Sequence, residues 1–271
     1  MPELPEMETY RKLLSERIAG RTITGAVVTR DKTINLPPEQ FIEAVVGRVV
    51  WFVERRGKHL LLHLDDGRRL IIHLMLGGSL YYGDEEDRPD RTVQVELSFG
   101  EHKLFGIGLR LGYVHLVTAK EAIERFQELG PEPLDTRLTV SKFKERFKGK
   151  RGALKTALVD QHTIAGIGNC YADEICFIAS IRPNVRIPAL KEDDWERLFR
   201  AMQSELREAT GYGGYMDAPF TREDTLTGGF NERCRVYDRC GEPCVQCGTA
   251  IEQSEVATKK VFYCPTCQPE G

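Results

Sequence analysis

Hydrophobic residues near the start of the chain recur at helical spacing. Met7, Tyr10, Leu14 and Ile18 lie three or four positions apart, and Gly20 follows them. Apolar residues at this spacing form one face of a helix, and glycine is favoured just past a helix end. The pattern therefore predicts an amphipathic helix over residues 6–19.

Between about residues 22 and 117 the hydrophobic pattern is that of β-strands. Six short runs rich in apolar and β-branched residues follow one another: TITGAVVT, RVVWFVE, HLLLHL, RLIIHLML, VQVELSF and GYVHLV. Asp66-Gly67 stands between two of these runs and predicts a tight hairpin turn. So many strands with few helical stretches predict an antiparallel sandwich or barrel.

The segment ELGPEPLD, residues 128–135, marks a change of period. Its two prolines and its glycine favour a linker. Helical spacing beyond it predicts helices over 139–147, 151–160, 169–180 and 191–210, followed by a loop rich in Gly and Thr. We therefore expect an α+β protein with a β domain at 1–130, a linker at 131–135, a helical domain at 136–229 and a final segment at 230–271.

Composition and charge narrow the class of protein. The 271 residues are 41% hydrophobic and 29% charged, and no apolar run is long enough to span a bilayer. The N-terminus lacks a basic segment followed by an apolar one, so we expect a cytoplasmic protein without membrane association. The net charge of −3 argues mildly against a nucleic-acid partner.

The distribution of charge weakens that objection. Between positions 142 and 155 seven basic residues accompany a single acid, Glu145: Lys142, Lys144, Arg146, Lys148, Lys150, Arg151 and Lys155. Such a stretch is either an ordinary solvated helix face or a surface for phosphate groups. An independent motif has to decide between the two interpretations.

Four of the eight cysteines have the spacing of a metal site. Cys244 and Cys247 form one C-x2-C pair, Cys264 and Cys267 form another, and sixteen residues separate the pairs. This spacing suits tetrahedral zinc, and the intervening residues could form the hairpin of a zinc ribbon. Disulfides are the alternative, but a cytoplasmic chain disfavours them. We expect one structural Zn²⁺ per chain, because four thiolates leave no open position.

Residues 151–181 predict a helix, a turn and a second helix. Gly166 and Gly168 interrupt the turn, and Asn169 stands where an N-cap is expected. The N-terminus of a helix suits a phosphate group, and a contact there holds nucleic acid without reading its bases. The alternative is an ordinary helical hairpin. The adjoining basic stretch favours DNA contact.

Together these motifs resemble the formamidopyrimidine-DNA glycosylase and endonuclease VIII family of base-excision repair enzymes. PELPE after Met1, ERRGKHL with Lys58, AGIGN ending at Asn169 and the two-pair cysteine finger match the family in chain order, from residue 2 to about 268. The resemblance implies a two-sheet β-sandwich behind an N-terminal helix, then a helix-two-turn-helix domain ending in a zinc-ribbon hairpin. It also implies a monomer that holds damaged DNA in a cleft between its domains.

The resemblance further implies catalytic roles for Pro2, Glu3, Lys58 and Lys259. If Met1 is removed, Pro2 becomes a terminal amine, whose ordinary pKa of about 7.7–8.0 leaves part of it nucleophilic near pH 7. It would attack C1′ of a damaged nucleotide, expel the base and cleave the strand by β- and δ-elimination. Glu3 would move protons, Lys58 would hold phosphate and assist elimination, and Glu6 would orient the terminus.

DNA contacts in the second half are implied in the same way. Asn169, Lys155 and Lys260 would bind the DNA backbone, and Lys259 stands where the family has a phosphate-binding arginine in the finger. Lysine keeps the charge of that arginine but lacks its bidentate fork. The phosphate would therefore be held less specifically.

The chain departs from the family at lesion recognition. The family fills the gap left by a flipped nucleotide with Met, Arg and Phe, whereas the aligned residues here are Leu76, Leu109 and Leu111, with Arg110 beside them. Leucines can fill a gap in the stack but cannot hydrogen-bond the opposite base. We therefore expect a lesion preference shifted from 8-oxoguanine opposite cytosine, and the base-capturing loop from Tyr215 to Gly229 also differs.

Three alternatives remain open from the sequence. The leucines could be ordinary core residues of strands. The chain could be a non-catalytic binder of abasic or distorted DNA, or a general zinc-ribbon nucleic-acid binder in which PELPE is coincidental.

Overall fold

A computed structural model describes residues 1–270, and the chain divides into two compact units. The first unit comprises Met1–Gln127 together with Tyr212–Gly229. The second comprises Glu128–Gly211 and the chain from Phe230 onward. The segment 212–229 therefore packs with the β-rich unit, although the sequence analysis assigns it to the helical domain. The four domain limits stay a prediction.

The first unit contains three α-helices and eight strands. They are α1 (Leu4–Ile18), β1 (Gly25–Val28), α2 (Pro38–Val45), β2 (Val50–Arg56), β3 (His59–Leu64), β4 (Arg69–His73), β5 (Ser79–Gly83), β6 (Val93–Phe99), β7 (His102–Ile107), β8 (Tyr113–Val117) and α3 (Ala119–Phe126). The strands form two antiparallel four-stranded sheets of order β1-β6-β7-β5 and β2-β3-β4-β8. The predicted two-sheet fold is confirmed.

Apolar side chains from both sheets and from α1 share one core. Met7, Tyr10, Leu14 and Ile18 of α1 are all buried there, as their spacing predicts. The helices α2 and α3 are not predicted from the pattern, because each spans only eight residues. Local signals mark both of them: α2 begins at a proline, and Thr118 caps α3 through a capping box with Glu121.

Two tight turns in the second sheet carry glycines in left-handed conformations. The Asp66-Gly67 turn joins β3 to β4 as predicted, with Gly67 at φ +85°. Gly57, at φ +54°, and Lys58 form the two-residue turn that joins β2 to β3. Lys58 therefore lies in a hairpin turn, one residue before the strand begins.

Among the described residues, the second unit contains four α-helices and a C-terminal hairpin. They are α4 (Val140–Glu145), α5 (Leu154–Leu158), α6 (Asn169–Ile178), α7 (Glu192–Gly211), β9 (Glu252–Val256) and β10 (Lys259–Tyr263). All four predicted helices are present, but α4 and α5 are shorter than expected. Within residues 1–270 no helix combines the length and the apolar character that crossing a membrane requires.

Candidate functional site

The N-terminus of α1 is closed by two glutamates that bind each other's backbone. Glu3 is the N-cap residue, and its side chain accepts the N–H of Glu6. In return the backbone N–H of Glu3 donates to Oε2 of Glu6 at 2.7 Å. Pro2, Glu3 and Glu6 are all buried. This capping box fixes the direction in which the chain leaves residue 2.

Glu6 also binds the segment 212–229 of the same unit. Its Oε1 accepts the backbone N–H of Tyr215 at 2.8 Å. Gly214 has φ +77°, and a Cβ atom there would lie 2.1 Å from Oε1 of Glu6. The glycine is therefore needed for the carboxylate to approach the loop backbone. The sequence predicts a role for Glu6 at the terminus but gives no sign of this second contact.

Further along the same segment, Phe220 anchors the loop in the core. Its side chain is completely buried, its ring centroid lies 5.9 Å from that of Tyr10, and its carbonyl accepts the N–H of Tyr82. Oδ2 of Asp224 accepts the N–H of Phe220 at 2.7 Å, which closes the turn. The segment that the family resemblance assigns to base capture is thus fixed at both Glu6 and Phe220.

Lys58 is held in its turn by a chain of hydrogen bonds that begins on α1. Oε2 of Glu8 accepts from Nε of Arg55 at 3.0 Å, and Nη1 of Arg55 donates to the carbonyl of Gly57 at 3.0 Å. Lys58 itself is buried. The turn that carries the lysine is therefore tied to the helix that carries Pro2 and Glu3.

Imidazoles stack beside this lysine, a feature that the sequence analysis does not identify. The rings of His59 and His73 lie 4.2 Å apart, and Nε2 of His59 is 3.1 Å from the hydroxyl of Tyr113. Burial lowers the pKa of His59 to about 3 and that of His73 to about 4, where the charge of Lys58 adds to the effect. Both rings are therefore neutral near pH 7, and His73 lies within electrostatic range of Lys58.

The three leucines predicted to fill the gap in DNA do not share one environment. Leu76 is 68% exposed in the loop between β4 and β5, and Leu111 is 64% exposed in the loop between β7 and β8. The two loops touch, since a Cβ atom on Gly108 would lie 2.4 Å from the carbonyl oxygen of Gly77. Arg110 is exposed beside Leu111, and its carbonyl accepts from Nη1 of Arg30.

Leu109 is buried, which corrects the expectation that it faces DNA. Its side chain is 0% exposed and packs against the backbone of three glycines, Gly78, Gly106 and Gly112. If any of these glycines carried a Cβ atom, that atom would lie only 2.9–3.0 Å from a δ-methyl group of Leu109. The backbone N–H of Leu109 donates to Oε1 of Gln94 at 2.7 Å. The residue fills the core beneath the two loops, and of the three predicted leucines Leu76 and Leu111 are exposed.

In the second unit, Asn169 lies at the start of α6. The N-cap is Gly168, so Asn169 is the first helical residue, one position later than predicted, and its side chain is exposed. The turn before it is stabilised by Gln161, whose side chain accepts from Gly166 and donates to the carbonyl of Ile167. The arrangement leaves the exposed amide of Asn169 next to the positive end of a helix.

The basic stretch is largely paired within its own unit. Lys144 pairs with Glu192, Lys148 with Glu145, and Lys150 with Asp160. Lys155 is only 1% exposed and pairs with buried Asp173. The predicted DNA contact by Lys155 is therefore corrected, because its ammonium group is bound in the interior.

The four cysteines of the two C-x2-C pairs converge on one point. The sulfur atoms of Cys244, Cys247, Cys264 and Cys267 all lie within 4.8 Å of one another. Backbone N–H groups bond Sγ of Cys244 and of Cys264 at 3.4 Å, which orients these sulfurs. Four convergent thiols fit one tetrahedral zinc ion, which would hold the hairpin without an open catalytic position.

The finger hairpin carries Lys259 and Lys260. Its turn consists of Ala257 and Thr258, both with positive φ, and Lys259 is the first residue of β10. Lys260 is exposed and Lys259 is partly exposed. The structure therefore presents both lysines beside the turn of the hairpin.

Three family models cover most of the chain in order. The formamidopyrimidine-DNA glycosylase N-terminal domain matches residues 1–112, the formamidopyrimidine-DNA glycosylase H2TH domain matches 129–217, and the zinc finger found in FPG and IleRS matches 241–269. A formamidopyrimidine-DNA glycosylase of Chloroflexus aurantiacus is 38% identical over 99% of this chain and 98% of its own length.

The chain belongs to the formamidopyrimidine-DNA glycosylase family. A relative from Listeria monocytogenes is 34% identical over 99% of this chain and its own full length. The Lactococcus lactis Fpg, solved in a complex with DNA that contains an abasic site, has a TM-score of 0.92 at 28% identity and covers 99% of this chain and all of its own. A complex of the same protein with N7-benzyl-Fapy-dG DNA has a TM-score of 0.91 at 28% identity.

Membership of the formamidopyrimidine-DNA glycosylase family confirms the resemblance drawn from the four motifs. The zinc-finger match and the convergent sulfurs agree on one structural Zn²⁺ held by four cysteines. The individual roles of Pro2, Glu3, Lys58, Asn169 and Lys259 stay predictions.

Proposed function

We propose that this chain is a DNA glycosylase and abasic-site lyase of base excision repair that uses the amine of Pro2 as its nucleophile. The observation that carries the proposal is the full-length match to named formamidopyrimidine-DNA glycosylases, combined with the capping box that holds Pro2 and Glu3 at the start of α1. The solved Lactococcus lactis relative is bound to DNA with an abasic site, which supports the same substrate class here.

The chemistry begins at the terminal nitrogen once Met1 has been removed. The lone pair of Pro2 forms a bond to C1′, and the bond from C1′ to the damaged base breaks, so the base leaves with the electron pair and takes up a proton. The carboxyl group of Glu3 gives a proton to O4′ as the C1′–O4′ bond opens, which produces an iminium ion. The iminium acidifies C2′, and loss of a C2′ proton expels the 3′ phosphate; δ-elimination then expels the 5′ phosphate.

Other residues in this proposal bind the strand. Lys58, held by the Arg55–Gly57 hydrogen bond, would neutralise a phosphate beside the sugar and stabilise the leaving phosphate. Asn169 would bind a phosphate at the start of α6, and Lys259 would bind one from the finger. The proposed zinc ligands Cys244, Cys247, Cys264 and Cys267 must be thiolates and not disulfides, which suits a reducing compartment and supports the cytoplasm.

The preferred lesion is proposed to differ from 8-oxoguanine opposite cytosine. Exposed Leu76 and Leu111 can enter the space left by a flipped nucleotide, as apolar wedges do in other DNA-binding proteins. Neither side chain can hydrogen-bond the opposite base, so excision should depend weakly on that base. Arg110, next to Leu111, is the one cationic residue within residues 108–112. Its side chain could partly replace the arginine with which the family hydrogen-bonds the opposite base.

A strand-incision assay tests the activity and the lesion preference together. Duplexes would carry an abasic site, 8-oxoguanine, a formamidopyrimidine or an oxidised pyrimidine, each opposite all four bases. We expect incision at the abasic site whatever the opposite base, and loss of incision in protein that retains Met1. Strong excision of 8-oxoguanine only opposite cytosine would contradict the shifted preference. Tight binding of abasic DNA without incision would favour the non-catalytic binder.

A further inference from the structure

A lysine and an aspartate form an ion pair in the interior of the second unit. Nζ of Lys155 lies 2.7 Å from Oδ2 of Asp173, and the side chains are 1% and 0% exposed. Desolvation makes such a pair a weak source of stability, and an apolar pair of similar volume often serves as well. Its presence suggests a positional role, of the kind that buried polar groups can play in fixing register.

Both members of the pair also bind the finger hairpin. Lys155 donates a second hydrogen bond to the carbonyl of Lys260, and Oδ2 of Asp173 accepts the N–H of Phe262 at 3.1 Å. The register of the hairpin explains why the carbonyl of Lys260 and the N–H of Phe262 are available for these bonds. Lys259 pairs with Val256 and Val261 with Ser254 around a two-residue turn, so the backbone groups of 260 and 262 point away from β9.

The same helix turn holds the other end of the finger. Glu174, next to Asp173 on α6, accepts three backbone N–H groups, from Arg235, Val236 and Tyr237, at 2.8–2.9 Å. Asp173 lies one helical turn after Asn169, which begins the helix. Two consecutive carboxylates on α6 therefore hold the finger at two places. Glu174 binds the chain at residues 235–237, which lead into the finger, and Asp173 binds the strand β10.

We propose that Lys155 and Asp173 are positioning residues that hold Lys259 at a set distance from the N-terminus of α6, so that the finger and the helix bind phosphates of one strand together. The proposal rests on the proposed function, because it assumes that Lys259 and Asn169 bind DNA phosphates. Neither Lys155 nor Asp173 touches the substrate. Their effect passes through the backbone of residues 260 and 262.

A double-mutant cycle between Lys155 and Lys259 tests the coupling. The probe is a duplex containing a tetrahydrofuran abasic analogue, and the readout is its dissociation constant with zinc-loaded protein at fixed salt. Lys155→Met keeps the length of the side chain and removes its charge. Lys155→Met/Asp173→Asn removes both charges while leaving an oxygen that can accept from Phe262, which covers the case in which the single variant folds poorly.

We expect Lys155→Met to weaken binding about fivefold in the wild-type background and less than about twofold in the Lys259→Ala background. Lys191→Met, an exposed lysine of the same unit, is the matched control and should leave binding unchanged. Zinc content and melting temperature of every variant are measured on the same samples. Lys155→Arg should restore part of the affinity, because it keeps a donor for both oxygens.

The outcomes separate this proposal from the function on which it rests. Equal losses from Lys155→Met in both backgrounds, or a lower melting temperature with unchanged binding, would show that the pair is only structural. If Lys259→Ala itself leaves binding and incision unchanged, the phosphate role of Lys259 fails and the positioning role fails with it. Incision dependent on Pro2 would in that case still support the glycosylase and lyase chemistry.

Discussion

Glu6 joins the start of α1 to the loop backbone at Tyr215. One carboxylate oxygen accepts the N–H of Glu3 at 2.7 Å and the other accepts the N–H of Tyr215 at 2.8 Å. A carboxylate that receives two backbone N–H groups from distant parts of the sequence holds both in register. Any movement of the loop is therefore transmitted to the residue that follows Pro2.

Gly214→Ala should disrupt this junction. A Cβ atom there would lie 2.1 Å from Oε1 of Glu6, and the residue has φ +77°, which disfavours alanine. We expect incision at an abasic site to fall about tenfold or more, because the displaced carboxylate no longer orients Glu3. The measurement is a single-turnover incision rate.

Gly211→Ala is the matched control for that variant. Gly211 ends α7, and a Cβ atom there would meet no other atom within 4 Å. The rate should equal that of the wild type. Equal rates in both variants would show that the Glu6 contact has no part in catalysis.

Leu109→Ala and Leu111→Ala should separate packing from DNA contact. Leu109 is fully buried, so its truncation leaves a cavity and should lower the free energy of unfolding by about 3 kcal/mol. Leu111 is exposed, so its truncation should change stability by less than about 0.5 kcal/mol. Base excision by Leu111→Ala should nevertheless slow about tenfold, because the gap left by the flipped base is no longer filled.

Chemical denaturation and a glycosylase assay check both leucine variants. The measurements are made on the same preparations, so that a fall in activity can be compared with the fraction folded. Normal excision by Leu111→Ala would contradict the proposed wedge.

Cys247→Ala should remove the zinc ion, whereas Cys240→Ala should not. Both cysteines are exposed, but only Cys247 belongs to the cluster of four sulfurs. Loss of one ligand opens the coordination shell, so the hairpin with Lys259 loses its support and DNA binding weakens. Zinc content measured by native mass spectrometry should be one per chain in Cys240→Ala and below one in Cys247→Ala. A full zinc complement in both would contradict the four-cysteine site.

Glu205 should make the free energy of unfolding fall as the pH rises from about 4.5 to about 8. Burial, together with the nearby charge of Glu174, raises its pKa to about 8, although Arg235 opposes the shift. The unfolded chain ionises this carboxyl near pH 4.5, so its contribution is complete below that pH and is lost as pH rises through 8. We expect the free energy of unfolding to drop by about 3 kcal/mol from this group between pH 6 and pH 9.

Glu205→Gln should flatten that dependence, and denaturant titrations at each pH measure it. Glu208 bonds the same arginine at 3.1 Å and its side chain is 37% exposed, and its charge adds to the raised pKa of Glu205 behind burial and Glu174, so Glu208→Gln should reduce the slope less than Glu205→Gln does. Identical slopes in all three proteins would exclude Glu205 as the titrating group.

The fold follows from the sequence wherever a pattern is long or a motif is local. The apolar spacing of α1, the Asp66-Gly67 turn and the two C-x2-C pairs each specify their structure within a few residues. Short helices such as α2 and α3 are not predicted from the hydrophobic pattern, because two turns give too few periodic positions.

Burial of single side chains could not be predicted in the same way. Leu109 and Leu111 are two positions apart on one loop, and only the glycines at 78, 106 and 112 show that Leu109 turns inward. Lys155 is taken for a surface cation from its neighbours in sequence, whereas Asp173 and the carbonyl of Lys260 draw it into the interior. Such contacts join residues 18 and 105 positions apart, which no local pattern records.

Borohydride trapping on abasic DNA, with the intact mass of the protein taken from the same sample, tests the central claim most directly. Protein that has lost Met1 should form a covalent adduct with the DNA, and the adduct should disappear when Met1 is retained, because the nitrogen of Pro2 is then part of a peptide bond. Absence of an adduct from protein whose mass shows a free Pro2 would contradict the iminium mechanism.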